Sequence, residues 1–234
     1  MNENKKLIIE YREIMERRII KTADGSDTVA IPEMNVSYHS KHGAIQESMH
    51  VFIEAGFQYI INQSTNKPIN IFEMGFGTGL NAFLTAIEAT EKGIKVYYEA
   101  VEQFLLSKEE VDELNYTDVL NHKDLFRQMH ECKWNEEIVL NEYFTLKKIN
   151  ENLIHYSTNQ PFNIIYYDAF APTAQPELWT EEVFKKLHSM LLPDGVLVTY
   201  CSKGSVRRAM QAAGFAIEKI PGPPGKREMV RAFI

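Results

Sequence analysis

Along this chain the apolar positions switch between two periods, and the switches mark its elements. Apolar residues run nearly unbroken over 69–72, 95–101, 162–167 and 196–201, as in strands buried on both faces. Between these runs the spacing becomes helical. Leu80, Phe83, Leu84 and Ile87 form one face that Glu91-Lys92-Gly93 stops, and Val183, Phe184, Leu187, Met190 and Leu191 form another over 181–192. Residues 104–135 read as mixed helix, 142–149 as a strand broken by Asn150-Glu151-Asn152, and 203–213 as a helix. Pro193-Asp194-Gly195 reads as a turn, and 215–219 as a strand. The Pro/Gly loop 221–227 and a last strand over 228–234 close the chain. Strands alternating with helices predict an α/β three-layer fold, a mostly parallel sheet with helices on both faces. The last two strands, joined without a helix, are expected to pair antiparallel.

Residues 1–60 read differently. Two β-rich runs, 17–22 and 28–31, flank an Asp24-Gly25 hairpin signal, and Ile45, Met49, Phe52, Ile53 and Phe57 then follow a helical period. The expectation is an N-terminal hairpin and helix packed on a core of residues 61–234 as a single structural unit, with a polar turn over 61–68.

Composition narrows the class. A chain of 234 residues with 44% hydrophobic content can bury one large core. No apolar run approaches the ~20 residues of a membrane span, and Met1 to Lys6 lead into no signal-like segment, so no membrane partner and a cytoplasmic location are expected. Cys132 and Cys201 lack Cys or His neighbours at ligand spacing, which predicts reduced thiols and no metal. The net charge of −7 disfavours a nucleic-acid partner, yet residues 203–234 hold seven basic residues against two acids.

The candidate chemistry lies where strands end. The run 69–72 breaks at Glu73 and gives way to Gly75-Phe76-Gly77-Thr78-Gly79, a strand, tight turn and helix in which glycine accepts positive φ and lets a ligand meet the backbone. Glu73 would repel a pyrophosphate and suits a cationic ligand, such as the sulfonium and ammonium of S-adenosylmethionine. Glu102 ends the next strand, where an acid holds a ribose diol in nucleoside-binding folds, with Glu99 as the structural alternative. Asp168 ends the strand 162–167 on the same rim and enters a loop with Pro172 and Pro176.

These residues resemble a class I S-adenosylmethionine-dependent methyltransferase. Three segments are similar, more narrowly, to the methyltransferase half of the MnmC tRNA-modification family. They are 72–81, Asp168-Ala169-Phe170-Ala171-Pro172 leading to Pro176-Glu177-Leu178-Trp179, and Gly225-Lys226-Arg227-Glu228-Met229. The resemblance implies N-methylation of 5-aminomethyl-(2-thio)uridine at the tRNA wobble position, with S-adenosylhomocysteine as the other product. Glu73, Gly75, Phe76, Gly77, Thr78, Gly79, Asn81, Glu102 and Asp168 would then hold the cofactor. Asp168 would also orient the amine and accept its proton. Many MnmC proteins carry a flavin-dependent half. This chain ends on its last strand, so a stand-alone enzyme without flavin, fed by a separate enzyme, is the expectation. The acid that often meets adenine is missing from Lys147-Lys148-Ile149-Asn150, which leaves Asn150 or backbone groups for that role.

For the acceptor, Tyr38, His39, Ser40 and Glu47 resemble the family's N-terminal motif, and Phe170 and Pro172 belong to the loop beside Asp168. Lys203, Arg207, Arg208, Lys226 and Arg227 are candidates for phosphates of the anticodon stem-loop. Trp179 or Phe170 is a candidate to stack on a base, with core packing as the other reading of Trp179. Two further readings stay open: a methyltransferase or aminopropyltransferase for a small molecule, and a non-catalytic nucleoside-binding protein.

Overall fold

A computed structural model describes residues 16–63 and 68–234. Residues 1–15 and 64–67, including the start of the N-terminal segment and much of the expected polar turn, lie outside the described residues.

The hairpin forms as β1 (Arg18–Lys21) against β2 (Asp27–Ile31), with the Asp24 carboxylate closing the turn onto Thr22 and Ser26. A short strand the pattern did not signal, β3 (Val36–Ser37), pairs with β2. The following helix, α1, is α-helical at Ala44–Ser48, π-helical at Met49–Gln58 and α-helical again at Tyr59–Ile61. The wide π turns brace the sheet closely: a Cβ on Gly56 would lie 3.0 Å from the Tyr166 ring.

The main sheet holds eight strands in the order β10-β11-β9-β8-β4-β5-β7-β6. These are β4 (Ile69–Met74), β5 (Val96–Glu102), β6 (Glu137–Asn141), β7 (Phe144–Asn150), β8 (Phe162–Tyr167), β9 (Leu191–Thr199), β10 (Ala216–Pro221) and β11 (Glu228–Phe233). The central pairings β9-β8-β4-β5-β7 are parallel. β10 pairs antiparallel with β11, as expected, and β11 and β6 pair antiparallel with β9 and β7. The expected turn at Pro193-Asp194-Gly195 lies within β9, where the register jumps from Phe162–Leu191 to Ile164–Val196 and Asp194 takes φ +64°.

The helices are α2 (Leu80–Lys92), α3 (Lys108–Asp112), α4 (Tyr116–Leu120), α5 (Lys123–Glu131), α6 (Glu181–Met190) and α7 (Gly204–Ala212). Each sheet face is covered by its own apolar cluster. Val29, Ala44, Val51 and Phe52 of the N-terminal segment share one cluster with Ile71, Leu80 and Tyr98 of the core. The chain passes from β4 to β5 on one side and returns to β8 on the other, so the carboxyl end of β4 is the topological switch point, where open α/β sheets bind ligands. Among the described residues no helix is long and apolar enough to cross a membrane.

Candidate functional site

At the switch point the chain leaves β4 through the glycine turn, and its backbone shows why glycine is required. Gly77 has φ +51°, and a Cβ there would meet the Tyr38 ring at 2.9 Å. Gly75 has φ +92° and faces the Asp168 carbonyl. Tyr38 thus roofs the turn, edge-on to Phe170 at 5.1 Å. Beneath lies a cleft whose lining includes Gly75, Gly77, Asn81, Glu102 and Asp168.

Asn81, on the first turn of α2, links the acids. Its amide Nδ2 donates to Glu73 Oε1 and to Asp168 Oδ2, each at 2.9 Å. Glu73 is fully buried, and burial pushes its carboxyl well above the ordinary range. It therefore reaches the cleft through Asn81 rather than by lining it. Asp168 is pushed up to about 7, first by burial and then by the Glu47 charge, against Asn81 and Lys226, which favour the anion. Glu102 accepts from the Gly77 N–H at 3.0 Å and the Phe104 N–H at 2.8 Å, and burial raises its carboxyl. Glu99 is spent structurally on the other side of β5, accepting from Tyr97, Tyr156 and Lys147.

Two adjoining spaces open from this cleft. One begins at Phe76, Gly77 and Glu102 and is walled by Leu106, Phe126 and Trp134, with Lys108, Arg127 and Glu131 among its polar lining. The other is the outer mouth, lined by Tyr38, His39, Glu47, Phe170, Tyr200 and Lys226 among others. His39 borders both the cleft and the mouth; burial drops its imidazole to about 4, so it is neutral at pH 7. Ser40 donates its N–H to Glu47 at 2.6 Å.

Several expected positions need correction. Trp179 is buried, donates Nε1–H to the Phe170 carbonyl at 2.8 Å and packs edge-on against Tyr167, so no face is free for a base. Lys226 does not project from the basic face; it pairs with Glu47 and sits 4.0 Å over the Tyr200 ring. Asn150 is at the rim, but its amide donates to the Glu102 carbonyl at 2.9 Å and it lines none of the three spaces. Pro172 is half-buried and lines none of those spaces, whereas Lys203 and Arg227 are exposed outside them, a placement compatible with the phosphate contacts expected of them.

Other residues had no sequence signal strong enough to single them out. Gln175 accepts from the Phe170 N–H at 2.9 Å and so shapes the Asp168 loop; its place between Pro172 and Pro176 was the available hint. His130 reaches the Thr78 carbonyl at 3.1 Å, and buried Lys148 donates to the His130 carbonyl at 2.9 Å, bracing the glycine turn from behind.

The arrangement fits a cationic nucleoside. Asn81 Oδ1, on a residue that lines the cleft, is a buried acceptor without a hydrogen-bond partner among the described residues. Among the described residues there is no group of three or more His, Cys, Asp or Glu side chains that could hold a metal ion.

Comparison with known proteins agrees with this class. Residues 108–234 match the family model for S-adenosyl-L-methionine-dependent methyltransferases, and the chain belongs to that family. It is 30% identical over 207 residues to the tRNA 5-methylaminomethyl-2-thiouridine biosynthesis bifunctional protein MnmC of Leptospira borgpetersenii serovar Hardjo-bovis, covering 82% of this chain and 31% of that protein. The MnmC protein of Pseudomonas aeruginosa PAO1 is 27% identical over 217 residues, with the same coverage. The chain thus spans about a third of the length of these curated relatives. In fold it resembles MnmC2 from Aquifex aeolicus, with a TM-score of 0.77 and 23% identity over all of this chain and 77% of that one.

Proposed function

We propose that this chain transfers a methyl group from S-adenosylmethionine to the primary amine of 5-aminomethyl-(2-thio)uridine at the tRNA wobble position, giving the 5-methylaminomethyl base. The observation that carries the reading is Asp168, a carboxyl raised to about 7 between a cleft suited to a cationic nucleoside and an open mouth. The names of the relatives supply the acceptor.

When bound, the cofactor supplies an electrophilic methyl on a sulfonium. The chain's residues do the rest. Glu102, held by the Gly77 N–H, would bind the ribose, Asn81, oriented by Glu73, would meet the methionine ammonium, and the space beside Phe76 and Trp134 would take the adenine in place of Asn150. Asp168 turns the amine lone pair toward the methyl carbon. As the N–C bond forms and the C–S bond breaks, the nitrogen loses a proton to the Asp168 carboxylate. Two acids near one amine would hold it as ammonium, which has no lone pair; the weak acidity of Asp168 eases that conflict. Residues 1–60 and 61–234 act as one unit in this reading, because the mouth takes Tyr38 and Glu47 from one and Phe170 and Lys226 from the other. The cytoplasm, where tRNA is processed, is the expected setting.

The test incubates the protein and labelled S-adenosylmethionine with tRNA lacking wobble-amine methylation, followed by mass spectrometry of nucleosides. Methylated aminomethyluridine is the expected product. Label that enters only small molecules would shift the assignment to a small-molecule methyltransferase, the reading that the net charge of −7 favours.

A further inference from the structure

Glu47 and Lys226 lie 179 residues apart and meet in the outer mouth. Glu47 is buried, with one oxygen held by the Ser40 N–H and the other by the Lys226 ammonium. Lys226 crosses the Tyr200 ring, and the Tyr200 hydroxyl donates to the Ala169 carbonyl at 2.9 Å, one residue beyond Asp168. The pair therefore stands beside the point where the amine must sit. An ion pair kept only to staple two loops is poorly explained, since apolar residues do that as well without the desolvation cost. Lys226 also has three N–H donors and remains partly open to the mouth, and the Glu47 carboxylate has lone pairs beyond its two partners.

We propose that Lys226 and Glu47 read the edge of the acceptor base next to its aminomethyl group. This rests on the substrate reading above. In a pyrimidine carrying the amine on C5, the adjoining edge runs C4 and then N3. Uracil presents an acceptor at O4 and a donor at N3–H; cytosine presents a donor and then an acceptor. A lysine beside a carboxylate offers a donor and then an acceptor, which complements uracil and opposes cytosine. Neither side chain is required to contact the substituent at C2.

The test compares kcat/KM on synthetic anticodon stem-loops with 5-aminomethyluridine or 5-aminomethylcytidine at the wobble position. Wild type should prefer the uridine RNA by ~10²-fold or more, because a wrong base leaves buried polar groups unpaired. Lys226→Met should lose at least tenfold on the uridine RNA and little on the cytidine RNA, with S-adenosylmethionine affinity kept, so that the preference falls at least tenfold. Lys226→Gln, whose amide both donates and accepts, should narrow the preference by gaining on cytidine, which covers the case in which the Met variant folds poorly. Lys226→Arg should retain the preference. Wild type that accepts both bases equally, or Lys226→Met and Lys226→Gln variants whose ratio stays at the wild-type value, overturns the inference alone. No wild-type turnover on the uridine RNA overturns the substrate reading and this inference with it.

Discussion

Asp168→Asn keeps the shape of the side chain at the junction of cleft and mouth while removing its ability to take a proton. The expected outcome is a fall in turnover of ~10²- to 10⁴-fold with S-adenosylmethionine affinity little changed, measured by single-turnover kinetics and calorimetry. The sign of the pH dependence follows from the raised carboxyl. The base form accumulates as pH rises through about 7, so wild-type kcat/KM should show a limb there that is absent from the variant, while the further rise from deprotonation of the free amine is common to both. Stability runs the other way. A carboxyl that is harder to ionise in the folded state favours folding at low pH, and that contribution is lost as pH rises through about 7. Asp168→Asn should therefore raise Tm most above pH 7, the gain shrinking on acidification and disappearing below about pH 4. Acids at strand ends were legible in the sequence because an apolar run that stops at a carboxylate is conspicuous. The pairing of Glu47 with Lys226 was not, since nothing local in either segment encodes a partner 179 residues away.

Among the elements, the glycine turn and the N-terminal hairpin segment depend on each other. Gly77→Ala puts a methyl group on the Tyr38 ring at a backbone φ of +51°, a strain of roughly 1–3 kcal/mol that should weaken cofactor binding and lower Tm together. Part of that cost is the ring itself, so Tyr38→Ala combined with Gly77→Ala should bind cofactor better than the two separate losses predict. A purely additive double-mutant cycle would show that the φ angle alone carries the penalty. The strands and helices of the parallel core were readable because burial on both faces leaves continuous apolar runs and amphipathic helices leave a 3.6 period. β6 was not, because an edge strand with Val139 exposed has little pattern to offer. The π turns of α1 also escaped, since Met49–Gln58 carries apolar spacing that an α-helix would satisfy equally and the choice rests on the contact of Gly56 with the sheet.

Across the whole molecule the question is how a protein of net charge −7 binds an RNA. The basic residues of the C-terminal part are not equivalent. Lys219 and Arg231 are spent on Glu228 and Glu218, and Lys226 on Glu47. Lys203, Arg208 and Arg227 are exposed, while half-buried Arg207 holds the Ser202 carbonyl. The Glu228 carboxyl is held below the usual range first by its hydrogen bond from Lys219 and then by the charges of Arg227 and Arg207. A patch of about four cations predicts a salt dependence of binding to an anticodon stem-loop with a log–log slope of roughly −3, about −0.7 to −0.9 per phosphate neutralised. Changing Lys203, Arg208 and Arg227 together to Ala should remove about two units of that slope and weaken binding evenly across RNA sequences. Lys226→Met should leave the slope where it was, because that ammonium already has its counter-charge inside the mouth. Titration of a fluorescent stem-loop between 50 and 300 mM salt, on the order of the range where such slopes are linear, separates the two groups. A flat profile for the wild-type protein would contradict phosphate binding by this face, whereas a slope lost on changing Lys226 would return that residue to the phosphate-contacting set.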